Sequence, residues 1–94
     1  IPMTVSEAHF ATTPFEAWRT AFREAVKLST MHTADAHLWL QRWTAFAEGP
    51  NSDWVLKGAE EGMEYAEQHA KDAVELQNTV DWNWLQERFE KMHG

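Results

Sequence analysis

Small and apolar residues recur every three or four positions through the second half of this chain, in the clearest repeat of the sequence. The stripe consists of Val55, Ala59, Gly62, Met63, Ala66, Ala70, Ala73 and Val74. A period of 3.6 residues places such a stripe on one face of an α-helix. Charged residues occupy the opposite face: Glu60, Glu64, Glu67, Lys71 and Glu75. The pattern predicts an amphipathic helix that is capped by one of residues 51–53 and continues to Val74.

The first predicted helix begins with a start signal at residue 13. Thr13 can cap the helix, Pro14 takes the first helical position, where a missing N–H costs nothing, and Glu16 stands at the capping-box position. The apolar face that follows consists of Phe15, Trp18, Phe22, Ala25, Val26 and the small Ser29. This repeat predicts a first helix that ends at about residue 30.

Two more helices complete the expected fold. Thr33 or Asp35 caps a second helix, which stops before Gly49-Pro50 and has an apolar face of Leu38, Trp39, Trp43, Phe46 and Ala47. A shorter last helix begins near Asp81 and carries Trp82, Leu85, Phe89 and Met92 on one side. We expect an all-α fold, a compact four-helix bundle of three longer helices and this shorter C-terminal one. It forms a single domain over residues 13–94, preceded by an extended lead-in or linker over residues 1–12.

Two glycines lie four positions apart inside the predicted third helix. Glycine in a helix interior costs about 1 kcal/mol relative to alanine, so Gly58 and Gly62 require a reason. They lie on or beside the face that carries Ala59 and Ala66. We expect a bulky aromatic, a Trp from the first or second helix, to approach the backbone there. A groove for a partner or ligand is the alternative.

Charge and composition exclude several function classes. The formal charge of the 94 residues is −7 at pH 7, which argues against binding to nucleic acid or to anionic lipid. No apolar run approaches the roughly 20 residues of a membrane span. We therefore expect neither a nucleic-acid nor a membrane partner. The chain has no Cys, which fits a reducing compartment, and we expect a cytoplasmic location.

The residue types that carry catalysis show no recognisable spacing. The five His residues form no metal-binding pattern, the Ser residues lie in no nucleophile elbow, and the Gly residues form no phosphate-binding loop. We predict no catalytic residue, no metal and no cofactor in this chain, and whether it belongs to an enzyme stays open.

Three of the eight basic residues follow the aromatic face of the first helix. Arg19, Arg23 and Lys27 form a ridge, here called the cationic ridge. In one interpretation it is a packing seam, with stems buried along the core and heads paired with carboxylates such as Glu16 or Glu24. In the other it binds an anion or an acidic partner.

The last helix has two Trp residues that cannot share one core. Positions two apart on a helix point about 200° apart. Trp82 is in line with Leu85 and should be buried, whereas Trp84 faces elsewhere, four residues before Arg88, where a cation–π contact is possible. Trp84 is either a partly covered surface residue or an anchor for a partner.

Several segments resemble a recurring stretch in the C-terminal helical part of glycosyltransferase-like proteins of bacteriophages. They are residues 13–19, 21–24 and 26–28, then residues 58–62, and finally residues 81–89. The resemblance implies that the chain is an accessory segment of a larger protein, and the start at Ile1 agrees with a piece cut from one. It brings no nucleotide-sugar site, because no acidic metal-binding signature is present to match.

Three functions follow as hypotheses. The first is a non-catalytic interaction or accessory domain that binds a protein partner or itself. Its contact surface would combine Trp84, Arg88 and the cationic ridge. The second is an accessory segment of a glycosyltransferase-like enzyme in which the same cations contact an anionic donor or substrate. The third, a carbohydrate-binding module, needs several surface Trp residues, whereas the periodicity assigns most of them inward.

Overall fold

The computed structural model of this chain describes residues 13–31, Leu38 and residues 51–93. Its helices are α1 (Pro14–Met31), α2 (Ser52–His69), the short α3 (Ala73–Leu76) and α4 (Trp82–His93). Single 3₁₀ turns, Ala70–Asp72 and Gln77–Thr79, flank α3. The described residues are thus all-helical, as predicted. The expected second helix and the lead-in over residues 1–12 lie outside the described residues, apart from Leu38, which is helical and exposed.

Local hydrogen bonds explain where the helices begin. The hydroxyl of Thr13 accepts a bond of 3.1 Å from the backbone N–H of Glu16, so the predicted cap of α1 is confirmed. The Asn51 carbonyl accepts bonds from the N–H groups of Trp54 and Val55 at the start of α2. Asp81 caps α4, since its carboxylate accepts a bond of 3.1 Å from the N–H of Trp84.

The two long helices run in the same direction and touch through small residues. A Cβ added to Gly58 would fall on the carbonyl oxygen of Trp18 and lie 3.0 Å from the Ala21 methyl group. A Cβ added to Gly62 would lie 2.5 Å from the carbonyl oxygen of Phe22. The glycines therefore admit the backbone of α1. The expectation of a close approach is confirmed, but backbone and small side chains fill the space where we expected an indole ring.

Two groups of buried residues lie on different sides of α1. One group packs α1 on α2 and consists of Ala17, Ala21, Ala25, Leu28, Val55 and Ala59. The other joins α1 to the later part of the chain and consists of Phe22, Val26, Ala66 and Ala73, with Trp82 packed against it. α1 is therefore covered on more of its circumference than the single predicted face.

The predicted third helix is shorter than its stripe. It ends at His69, and Ala70 adopts a positive φ of 51° with its N–H bonded to the Ala66 carbonyl. This turn lets Ala73 contact the same buried group as Ala66 while the chain reverses toward α4. The prediction of one continuous helix to Val74 is wrong, because the reversal buries Ala73 and leaves Ala70 exposed.

The C-terminal helix crosses the aromatic side of α1 in the opposite direction. The ring of Trp82, at its start, lies 6.1 Å from that of Phe22, and the ring of Phe89, near its end, lies 5.4 Å from that of Phe15. α4 has no fully buried side chain. Met92, expected on the inner side, is 72% exposed.

Candidate functional site: an aromatic cleft beside the C-terminal helix

Trp84 and Arg88 form a pair on the outer side of α4. The Trp84 side chain is 53% exposed, and the guanidinium carbon of Arg88 lies 4.9 Å from the centre of its ring. The two residues are one helical turn apart, so they share a face. The predicted cation–π contact and the predicted exposure of Trp84 are confirmed. We call these two residues the Trp84–Arg88 pair.

Two members of the cationic ridge also rest on aromatic rings. The guanidinium carbon of Arg19 lies 5.5 Å from the ring centre of Phe15, and that of Arg23 lies 5.9 Å from the ring centre of Trp82. Arg23 and Lys27 are exposed, and Arg19 is half-buried. Arg23 therefore touches the first residue of α4, whereas Arg88 contacts Trp84, which points elsewhere on the same helix.

A cleft of about 290 Å³ opens between α2 and α4, with α1 at its base. Trp18 comes from α1. The α2 wall includes Trp54, Lys57 and Glu61, and the α4 wall includes Leu85, Arg88, Phe89, Met92 and His93. Arg88 thus belongs both to this cleft and to the Trp84–Arg88 pair, and the two form one continuous surface.

Three rings from the two walls of the cleft pack against one another. The ring of Trp54 lies 4.9 Å from that of Phe89 and 4.8 Å from that of His93, and Phe89 and His93 are 4.8 Å apart. Such separations and the tilted geometries are those that aromatic pairs prefer. The contacts join the end of α4 to the start of α2, so the two walls of the cleft meet at these rings.

The base of the cleft is fixed by a hydrogen bond between helices. The indole N–H of Trp18 donates to a carboxylate oxygen of Glu61 at 2.8 Å. The Trp18 ring also stacks on Phe22 at 5.1 Å and lies 6.3 Å from Phe89. Trp18 is therefore held from several sides, although part of its ring stays accessible.

The cleft contains positive charge in excess. Lys57 and Arg88 lie on opposite walls, and the Glu61 carboxylate is already engaged by Trp18. The ammonium nitrogen of Lys57 lies 5.3 Å from the ring centre of Trp54, so this cation is also placed by an aromatic ring. An anionic group is the natural complement of such a surface.

No motif in the sequence pointed to Trp54, Lys57 or Glu61. Their only local signal is the spacing of Lys57 and Glu61, four positions apart beside the glycine pair. The helical periodicity also assigned most Trp residues inward. Trp18, Trp54 and Trp82 are only half-buried, because each ring lies at the margin between two helices.

The chain matches no protein-family model, no curated protein and no solved structure. Within residues 13–31 and 51–93, no group of three or more His, Cys, Asp or Glu residues could hold a metal ion. No helix in this described part of the chain has both the length and the apolar character needed to cross a membrane.

Proposed function

We propose that this chain is a non-catalytic interaction domain, an accessory part of a larger protein, which binds a protein partner or a second copy through α4. The observation that carries the proposal is the Trp84–Arg88 pair. A Trp residue that is 53% exposed lies on a helix with no fully buried side chain, and an arginine lies over its ring. Trp and Arg are the residue types that contribute most often to the energy of protein interfaces.

The pair is also arranged in advance for binding. Arg88 lies over the ring of Trp84, so both side chains have lost part of their conformational freedom before a partner arrives. Ordering such side chains costs about 0.5–1.5 kcal/mol each when it happens only on association. The cationic ridge of Arg19, Arg23 and Lys27 supplies positive charge on the same protein for a partner with acidic side chains.

A four-helix bundle is the fold we propose for the whole domain. α1 and α2 have 18 residues each and are parallel, so about 27 Å of helix length separates the end of α1 from the start of α2. A helix capped by Thr33 or Asp35 and ending before Gly49-Pro50 would span most of that distance. The resemblance to bacteriophage glycosyltransferase-like proteins supports a parent chain of that kind.

Sedimentation of the chain over a range of concentrations tests the proposal. We expect the wild-type chain to self-associate as concentration rises and Trp84→Ala to remain monomeric with its melting temperature nearly unchanged. Leu56→Ala is the control: it removes an exposed apolar side chain of α2, and this variant should self-associate as the wild-type chain does. A monomeric wild-type chain, together with a Trp84→Ala variant that melts about ten degrees lower, would contradict the proposal.

A second candidate is an accessory segment that contacts an anionic donor of a glycosyltransferase-like enzyme. The exposure of Arg23 and Lys27, one helical turn apart on α1, favours it. Titration with a nucleotide sugar separates the two functions. Chemical-shift changes centred on Arg19 and Arg23 support the donor site, whereas concentration-dependent broadening at α4 without a response to the nucleotide sugar supports the interaction domain.

A further inference from the structure

We propose that the cleft between α2 and α4 binds a peptide segment of a protein partner that presents an aromatic side chain beside a carboxylate. The inference rests on the proposed function, because the cleft joins the Trp84–Arg88 pair through Arg88. It adds the chemistry of the partner, which the exposed pair alone does not specify.

The size and lining of the cleft fit one aromatic side chain. Its volume of about 290 Å³ is many times the roughly 10–15 Å³ that a cavity needs on the same measure to hold one water molecule. Trp54, Phe89 and His93 already form a set of rings at 4.8–4.9 Å, and Trp18 lies at the base. A further ring can join this set with the edge-to-face or offset geometry that aromatic groups prefer.

The charges of the cleft select a carboxylate beside that ring. Lys57 of α2 and Arg88 of α4 both line the cleft, and the Glu61 carboxylate accepts the bond from the Trp18 indole. The chain as a whole is acidic, with a formal charge of −7. Among the side chains that line the cleft, however, two cations, Lys57 and Arg88, stand against one carboxylate, that of Glu61, and charges much farther than about 8 Å are screened at physiological ionic strength.

Continuity of the surface favours a peptide over a free small molecule. Arg88 contacts the Trp84 ring and also lines the cleft. A segment that covers the exposed Trp84 therefore passes the cleft opening and can place its next side chains there. A small aromatic acid would use the cleft but would leave Trp84 uncovered.

Blocked dipeptides test the inference on the 94-residue chain. The probe is acetyl-Asp-Phe-amide, and acetyl-Asn-Phe-amide is its uncharged counterpart. Binding is followed by NMR through the indole N–H signals of Trp18 and Trp54. We expect the Asp peptide to shift both signals and to bind about three- to tenfold more tightly than the Asn peptide. The difference should shrink in 0.5 M NaCl, about a threefold rise over physiological ionic strength.

A matched pair of variants locates the charge effect. Lys57→Gln should remove most of the preference for the Asp peptide, whereas Lys91→Gln, which removes an exposed cation of α4 outside the cleft lining, should keep it. Both side chains are exposed, so neither change should disturb folding.

Several outcomes would overturn the inference. Equal binding of the Asp and Asn peptides would exclude recognition of a carboxylate. Phenylacetate that binds as tightly as the Asp peptide would assign the cleft to a free aromatic acid, and methyl glucoside that binds more tightly would assign it to a sugar. If Trp84→Ala abolishes association while no peptide shifts Trp18 or Trp54, the proposed function stands and the inference about the cleft is wrong.

Discussion

The indole N–H of Trp18 donates a hydrogen bond of 2.8 Å to the carboxylate of Glu61, which lies 43 positions later in the chain. The bond joins α1 to α2 at the base of the cleft. It accompanies the close contact at Gly58, where the backbone carbonyl of the same Trp18 meets α2. One residue thus contributes its backbone to the helix contact and its ring to the cleft.

This bond should have a measurable coupling energy. We expect Glu61→Ala to lower the free energy of unfolding by about 1 kcal/mol, because the bond is partly buried and its acceptor is charged. Trp18→Phe should lose more, since it also removes ring contacts. A double-mutant cycle in urea should give a coupling of about 1 kcal/mol. Glu61→Gln, which keeps an acceptor oxygen, serves as the control, and strictly additive losses would argue against the bond.

Adding a methyl group at either glycine, Gly58 or Gly62, should destabilise the fold. In a helix interior, replacing Gly by Ala normally gains about 1 kcal/mol. At Gly58 and Gly62 the new Cβ would meet carbonyl oxygens of α1, so we expect each change to lose about 1–3 kcal/mol. Urea unfolding measures the loss. Glu60→Ala, at an exposed position of the same helix, should stay within about 0.5 kcal/mol, and a stabilised Gly58→Ala would show that the helices lie further apart.

The helix starts and the glycine contact show what local sequence can predict. Thr13 carries its signal within three residues, so its cap could be predicted and is found. Gly58 and Gly62 predicted a close approach only because glycine destabilises a helix interior and therefore requires a reason there. That the α1 backbone, and not an indole ring, fills the space beside the glycines follows from how α1 packs on α2. No residue spacing in the sequence indicates that packing.

The end of α2 should be stabilised by glycine. Ala70 has a φ of 51° and a ψ of −128°, a sparsely populated backbone conformation that costs a residue with a Cβ about 1–3 kcal/mol. We expect Ala70→Gly to raise the free energy of unfolding by about 1 kcal/mol, and the melting temperature by about 4–8 °C. Ala66→Gly, in the preceding helical turn, should lower both. A fall in melting temperature for Ala70→Gly would contradict the positive φ at this position.

The sequence carries no local signal for this turn. No Gly or Pro marks residues 69–72, and the small-residue stripe continues in phase through Ala70 and Ala73. The turn is favoured by tertiary burial of Ala73 against α1. Likewise, Lys57 and Arg88 meet at one cleft although they lie in different helices, so their shared role could not be inferred from spacing.

The cap of α4 should contribute to stability. The Asp81 carboxylate accepts a bond from the N–H of Trp84, and Asp81→Ala should therefore lose about 1 kcal/mol, while Asp81→Asn should lose little. Asp72 is a matched control, because it precedes α3 without a side-chain cap bond, and Asp72→Ala should stay within about 0.5 kcal/mol. Thermal unfolding followed by circular dichroism measures all three. Equal losses at Asp81 and Asp72 would exclude a specific cap.

The Trp residues of α4 divide into one that stabilises the fold, Trp82, and one that is left for a partner, Trp84. Urea unfolding of Trp82→Ala and Trp84→Ala, measured side by side, tests this division most directly. Trp82 packs on Trp18 and Phe22, so its removal should lower the free energy of unfolding by about 2 kcal/mol or more. Removal of Trp84 should lower it by less than about 0.5 kcal/mol. A loss at Trp84 as large as that at Trp82 would contradict the account.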